Sequence, residues 1–268
     1  MSGLGIDAGG TQTRWALADA QGRILAEGAV PGLSATQFRD AAGRTHLMHS
    51  FSAIAHAAKR HGPVTQVRAA LTGFDAAAQD AQQLAQLIAA PCALAADAVV
   101  VMSDIEAACR AALAPGEGYL VYCGTGSVAA FVDASGTMHR AGGRGMWLDD
   151  GGSGTWIARE ALRAVWRRED EAPGSWRDSR LAQALFAQLG SDEWRASRQL
   201  ILTADRGQIG QLALAVARAA QENDPQALTI LRAAGVELAR LAAAMISRFG
   251  PRSVVLSGRA ALLHPCIA

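Results

Sequence analysis

Two short loops in this chain combine glycine with hydroxyl side chains between apolar runs: Asp7-Ala8-Gly9-Gly10-Thr11-Gln12-Thr13 near the start and Gly124-Thr125-Gly126-Ser127 near the middle. Glycine permits positive φ and lets backbone N–H groups approach an anion, and threonine or serine hydroxyls add donors, so each loop suits a phosphate. Asp7, at the end of its apolar run, could hold Mg²⁺ through water. Either loop taken alone is equally an ordinary hairpin turn. Their repetition favours the first reading. Gly9, Gly10, Thr11 and Thr13 on one side, and Gly124, Thr125, Gly126 and Ser127 on the other, read as jaws on one polyphosphate. The chain has no G-x-x-x-x-G-K-[ST] sequence, and neither loop leads into a helix as a dinucleotide-binding turn would.

The surrounding residues predict the elements that carry these loops. Residues 3–8, 14–18 and 23–28 are apolar runs separated by turn residues and read as a three-stranded meander; residues 119–123, 128–132 and 137–140 repeat it after the break at Pro115-Gly116. Between the meanders, helical spacing predicts helices over 37–60 and 75–89 and a buried strand over 67–71. A β-branched strand over 99–102 then leads into a helix over 105–114 that Ser103 or Asp104 would cap. The second half is mostly helical, over 153–168, 180–189, 209–222 and 225–249, before a strand at 253–256 closes into Ser257-Gly258-Arg259. The pattern is α/β with two lobes, 1–114 and 115–268, each opening with a meander, the second helix-rich.

A chain of 268 residues exceeds what one core usually fills, which agrees with two lobes and leaves room for a cleft. Its 25 Lys and Arg nearly cancel 24 Asp and Glu, so nothing in the charge asks for nucleic acid or an anionic membrane, and small molecules are the expected partners. No stretch approaches the roughly 18 uninterrupted apolar residues of a spanning helix. The N-terminus also lacks a basic segment followed by an apolar one, so a soluble cytoplasmic protein is expected. Cys92, Cys109, Cys123 and Cys266 are far apart and read as reduced, packed thiols rather than zinc or iron–sulfur ligands. Trp156, Trp166, Trp176 and Trp194, on or near helices, read as packing residues.

With these motifs in this order, the chain resembles the actin-like, sugar kinase and Hsp70 ATPase superfamily, and within it the BadF/BadG/BcrA/BcrD group that includes N-acetylglucosamine and glucosamine kinases. Residues 5–13 are similar to its first phosphate motif, 123–127 to its second, and Val254-Val255-Leu256-Ser257-Gly258-Arg259 to its adenosine motif. The resemblance spans essentially the whole chain. It implies a two-lobed, ribonuclease H-like fold, ATP and Mg²⁺ as cofactors, and transfer of the γ-phosphate to a hexosamine hydroxyl, the 6-hydroxyl of glucosamine or N-acetylglucosamine. Gly258 and Arg259 would join the two loops in holding nucleotide.

Such a transfer needs a carboxylate that takes the hydroxyl proton. Family members carry it in an S-D-like element, which Asp104 matches here, and a helix N-terminus would also keep that carboxylate ionised. The Gly-rich residues 142–154 are similar to the G-G-R then D-x-G-S-G form of glucosamine kinases. That similarity implies sugar and phosphate contacts from Gly142, Gly143, Arg144 and Asp150, with Asp150 near Mg²⁺, whereas Gly151 replaces a family glutamate. Residues 33–37 resemble an S-T-N-H segment, which puts Thr36 at a sugar-binding position, and residues 71–75 resemble an L-S-G segment, which puts Thr72 and Gly73 beside the sugar.

Two other functions fit part of the pattern. One is an activator ATPase of the 2-hydroxyacyl-CoA dehydratase or benzoyl-CoA reductase kind, which the cysteine placement disfavours because paired loop cysteines are not apparent. The other is a non-catalytic nucleotide- or sugar-binding regulator, suggested by Gly151 and by an end at Ala268. Family members continue there with a strand and a terminal helix, so the expectation is either that these elements are truncated, which would loosen lobe coupling, or that another segment substitutes for them. A homodimer through the apolar helical lobe is expected by analogy.

Overall fold

Leu4, Ile6 and Ala8 alternate with Gly5 and Asp7, so one face of the first strand, β1 (Ser2–Ala8), is buried while the other is open. In the computed structural model, which describes every residue except Thr11 and residues 76–80, β1 is the central strand of the first of two units, Met1–Ala108. β2 (Gln12–Asp19) and β3 (Ile24–Pro31) follow as antiparallel neighbours and form the predicted meander. β4 (Gln66–Leu71) and β5 (Val99–Ser103) extend the sheet in parallel on the other side, in the order β3-β2-β1-β4-β5. Leu47, Phe51 and Ile54 of α1 (Ala41–Lys59) and Leu84 and Ile88 of α2 (Ala81–Cys92) pack with Leu4, Ile6, Leu17, Val67 and Leu71 into one core.

The helix predicted from residue 37 starts later. Asp40 is extended, with ψ 165°, and caps α1 by accepting from the Gly43 N–H at 2.7 Å. Residues Ala35–Arg39 form a separate 3₁₀ turn, closed by the reciprocal bonds of Ser34 and Gln37. The start predicted for the next helix falls partly on residues 76–80, outside the described residues. Helix α3 (Asp104–Ala112) leaves β5 directly, and the division between the units lies within it.

The second unit, Cys109–Ala268, holds the second meander as β6 (Gly118–Cys123), β7 (Ser127–Val132) and β8 (Met138–Gly142). β9 (Ser253–Ser257) pairs in parallel with β6, giving the order β8-β7-β6-β9. Tyr119, Val121 and Phe131 of this sheet share a core with Ile157 and Leu162 of α4 (Gly154–Glu171), Leu185 of α5 (Arg180–Leu189), Val216 of α8 (Ala213–Gln221) and Leu231 of α9 (Pro225–Phe249). Between α5 and α8 lie α6 (Trp194–Thr203), which the sequence pattern did not indicate, and α7 (Arg206–Gln211). α6 lacks a side-chain cap bond, and its one buried residue is the polar Ser197, so neither a start signal nor a wide apolar face announces it. The helix predicted over 209–222 is two helices, opened by a capping box of Asp205 and Gln208 and interrupted at Leu212. Trp166 and Trp176 pack on Phe186, with ring centroids 5.5 and 5.6 Å away. Among the described residues, no helix is long and apolar enough to cross a membrane.

Asp224 shows how this unit is fastened. It is buried, its Oδ1 accepts from the Gln226 and Ala227 N–H groups at 2.9 Å to cap α9, and its Oδ2 accepts from the Leu181 N–H of α5 at 3.2 Å. Asp224→Ala removes the cap and strands a buried amide. The expected loss is roughly 2–3 kcal/mol, read as a lower urea midpoint at unchanged m.

Candidate functional site

β1, β4 and β5 run in parallel, with Ala8 opposite Leu71 and Leu71 opposite Ser103. Their carboxyl ends therefore open on one edge of the first sheet, the usual place for ligands in open α/β sheets. Gly9-Gly10, Thr72-Gly73 and Asp104 leave those ends side by side, although they come from distant stretches of sequence. The loops are tied to one another: Thr72 N–H donates to Ala8 O at 3.0 Å, Leu33 N–H to Gly9 O at 3.1 Å and Ala35 N–H to Thr72 O at 3.0 Å. Ser34 Oγ donates to Thr72 O and lies 2.9 Å from Thr36 Oγ1. Gly73 has φ +74°, and a Cβ there would stand 2.9 Å from Thr36 Cγ2. Thr36 and Thr72-Gly73 thus belong to one hydrogen-bonded surface.

Asp104 is exposed in the first turn of α3. The cap of that helix is Ser103, whose Oγ accepts from the Glu106 N–H at 3.2 Å; Asp104 Oδ1 accepts from the adjoining Ile105 N–H at 2.8 Å. The carboxylate therefore sits at the positive end of α3 without being its cap. Asp7 is exposed on the face of β1 opposite Ile6 and Ala8.

In the second unit the parallel pairing of β6 and β9 sets Tyr122 opposite Ser257, so residues 123–127 and Gly258-Arg259 leave adjacent strand ends. Gly258 lies against the backbone of Cys123: a Cβ there would stand 2.3 Å from Cys123 O. Gly154 N–H and Thr155 N–H at the start of α4 donate to Gly124 O and Thr125 O at 2.9 and 3.3 Å, and Thr155 Oγ1 donates to Thr125 O at 2.8 Å. The loop carbonyls are thereby turned towards α4. The N–H groups of Thr125 and Gly126 donate to no protein acceptor among the described residues, which leaves two adjacent backbone donors for an anion.

The expectation for Thr11 lies outside the described residues, and several others for these loops need correction. Thr13 is fully buried and its Oγ1 accepts from the Leu33 N–H at 3.0 Å, so it fastens the Leu33 loop instead of facing a phosphate. Ser127 is likewise buried, and its Oγ donates to Gly151 O at 2.7 Å. Gly9, Gly10, Gly124 and Gly126 do not have positive φ. Gly10 has open space around it, whereas a Cβ would be tight against Gln12 O at 3.2 Å from Gly9, the Tyr122 ring at 3.1 Å from Gly124 and the Asp150 carboxylate at 3.0 Å from Gly126, so those neighbours would have to give way.

Asp150 is the least ordinary residue of this unit. It is 2% exposed, has φ +57°, lies against Gly126, and its Oδ2 has no hydrogen-bond partner. Burial pushes its pKa up, opposed by the Ser127 N–H and Arg206, reinforced by Asp149 and opposed again by the Gly145 N–H. A buried carboxylate oxygen without a donor, beside a turn with free amides, is one that a cation would satisfy. The fit to Mg²⁺ is good, because that ion is usually held by one or two carboxylates together with phosphate oxygens.

The turn carrying Asp150 is fastened to α9 by residues that sequence reasoning missed. Arg240 bridges Glu237 (Nε to Oε2, 2.9 Å) and Asp149 (Nη2 to Oδ1, 3.1 Å). A Cβ at Gly151 would stand 2.6 Å from Glu237 Oε2, so a carboxylate from α9 already fills that space. The three-residue spacing of Glu237 and Arg240 signals an ion pair, but nothing local points to Asp149 or Gly151. Gly151→Glu is expected to cost about 1–3 kcal/mol by overpacking and like-charge crowding, and Gly151→Glu combined with Glu237→Ala to recover most of it, as read by thermal unfolding.

Gly142 and Gly143 have φ +72° and +66°, with Gly142 beside Asp149, and Arg144 and Arg259 are exposed. Cys92, Cys109 and Cys123 are buried and Cys266 is half-buried. Cys123 Sγ donates to Gly152 O at 3.1 Å, and burial pushes its pKa up to about 12. That thiol is a packing group and not a nucleophile.

A family model for the BadF/BadG/BcrA/BcrD ATPase family matches residues 4–267. Among solved structures, a candidate N-acetylglucosamine kinase from Chromobacterium violaceum is similar at 23% identity and TM-score 0.74, over 98% of this chain and 88% of that one. Another from Porphyromonas gingivalis is similar at 18% identity and TM-score 0.75, over 97% of this chain and 87% of that one. A ROK family glucokinase from Streptomyces griseus, in complex with glucose and AMPPNP, is similar at 18% identity and TM-score 0.58, over 100% of this chain and 86% of that one. At such identities the likeness is one of fold, the two-lobed α/β fold of actin-like sugar kinases.

Proposed function

The chain belongs to the BadF/BadG/BcrA/BcrD ATPase family, and on that premise we propose that it is an ATP-dependent amino-sugar kinase acting on a hydroxyl, the 6-hydroxyl, of glucosamine or N-acetylglucosamine. The single observation that carries this reading is the edge of the first sheet. There Gly9-Gly10, the surface of Thr36, Thr72 and Gly73, and Asp104 follow adjoining strand ends. A phosphate turn, a surface of hydroxyls and backbone groups, and a carboxylate are what phosphorylation of an alcohol requires.

In the proposed reaction Asp104 takes the proton as the sugar oxygen bonds to the γ-phosphorus, the bond from that phosphorus to the bridging oxygen breaks, and ADP leaves. On the second unit the amides of Thr125 and Gly126, with Gly258 and Arg259 beside them, would hold nucleotide, and on the first unit Gly9 and Gly10 form a turn suited to phosphate. Asp150 would hold Mg²⁺ on the second unit, where the ion would neutralise phosphate charge, and Asp7 is the candidate carboxylate for it on the first unit. On the first unit the sugar contacts are assigned to Thr36, Thr72 and Gly73.

ADP release with glucosamine, N-acetylglucosamine, glucose and N-acetylmuramic acid tests the reading. ATP turnover should require an amino sugar. Hydrolysis at one rate with and without every sugar would refute it.

A further inference from the structure

We propose that Arg206 is a nucleotide-binding residue of the second unit, whose guanidinium takes a terminal phosphate of ADP or ATP held at the Thr125 and Gly126 amides. The inference rests on the nucleotide half of the kinase reading and adds to it a side chain that lies outside every motif named above.

Arg206 opens α7, and the place of that helix is fixed twice. At its start the capping box of Asp205 and Gln208 makes Arg206 the first helical residue. One turn later Gly210 lies against the beginning of α4: a Cβ on Gly154 would stand 3.4 Å from Gly210 O, and one on Gly210 would stand 3.5 Å from Thr155 Cγ2. Gly154 and Thr155 are the residues whose N–H groups hold the carbonyls of Gly124 and Thr125. Arg206 and Gly210 are four residues apart and so share one side of α7, the side that meets this junction. Arg206 is exposed, and among the described residues no ion pair engages its guanidinium.

The charges around the turn say what belongs beside this guanidinium. Asp150 is 2% exposed, its Oδ2 has no partner, and its carboxylate stands 3.0 Å from where a Gly126 Cβ would be. Burial raises the pKa of Asp150, while the positive charge of Arg206 lowers it and the negative charge of Asp149 raises it. Arg206 is therefore within electrostatic reach of Asp150, yet no ion pair joins the two, which leaves the cation uncommitted. Arg240, by contrast, is occupied by Glu237 and Asp149. A buried carboxylate beside the Thr125 and Gly126 amides would by itself repel an anion, and a nearby guanidinium offsets that repulsion. A phosphate group can accept from backbone amides and from the guanidinium fork together, whereas an uncharged ligand would leave the fork unused.

Titration calorimetry of the full chain with ADP and with adenosine tests the inference. Arg206→Gln should weaken ADP binding about tenfold or more while adenosine affinity and the melting temperature stay at the wild-type values. Arg206→Lys should lie between the two, because lysine keeps the charge and loses the fork. The ADP affinity of the wild type should also fall more steeply with added salt than that of Arg206→Gln. Unchanged ADP affinity in Arg206→Gln overturns the inference, as does an equal loss of ADP and adenosine, which would make Arg206 a prop for α7. A wild type that binds no ADP overturns the nucleotide reading and this inference together. If ADP binding depends on Arg206 but no amino sugar is turned over, the kinase reading falls and the phosphate contact stands.

Discussion

Asp104→Asn is expected to lower sugar-dependent ADP release by about 10²–10⁴-fold while leaving the melting temperature within about a degree of wild type. Asparagine keeps the size of the side chain and can still accept the Ile105 N–H, which Asp104 Oδ1 accepts at 2.8 Å. It cannot take a proton from the sugar hydroxyl. An aspartate at the start of a helix is ordinarily suspected of capping, and removing a cap would blur activity loss with unfolding. That confusion does not arise here, because Ser103 Oγ accepts the Glu106 N–H and carries the cap. The loss should fall on kcat and leave KM for ATP unchanged, since a base acts on the hydroxyl and not on nucleotide binding. Full turnover in a well-folded Asp104→Asn protein would remove the aspartate from the mechanism.

Gly258→Ala should have the largest effect on stability among single-methyl additions in the second unit. The new Cβ would stand 2.3 Å from Cys123 O and 2.6 Å from Cys123 C, and both are backbone atoms that no rotamer change can clear. The residue also has φ +101°, where alanine is disfavoured by about 1–3 kcal/mol before any contact is considered. The strand end must part from β6 or push residues 123–127 aside. A loss of about 3–5 kcal/mol is expected by thermal unfolding, together with at least tenfold weaker ADP binding by titration calorimetry. A stable Gly258→Ala protein with unaltered ADP affinity would show that the approach of β9 to this loop is immaterial.

How much of this could be read from the sequence depended on the range of the interactions involved. Residues 3–8 and 119–123 announced their meanders as short apolar runs and by the turns after them, both local signals. Asp40 hid the true start of α1, because its flanks are apolar enough to continue the helical period through it. The adjacency of Gly9, Thr72 and Asp104 was out of reach, since it follows from parallel registers between strands far apart in the chain. Thr13 was misread although the signal existed: it shares parity with Trp15 and Leu17 on β2, so burial of those two turns its hydroxyl inward. Asp150 was found through the resemblance, but its strained backbone and orphaned oxygen are visible only in three dimensions.

The way Glu237 lies over Gly151 has a bearing on how such proteins diverge. A linear pattern that demands an acidic residue at position 151 would reject this chain, yet the volume beside that backbone contains a carboxylate. Positions 151 and 237 therefore make one heritable pair. A lineage regaining a long side chain at 151 must first shorten 237, and the reverse order passes through an intermediate with two acids in one space. In related chains the two positions should change together, with a small residue at one wherever the other is bulky.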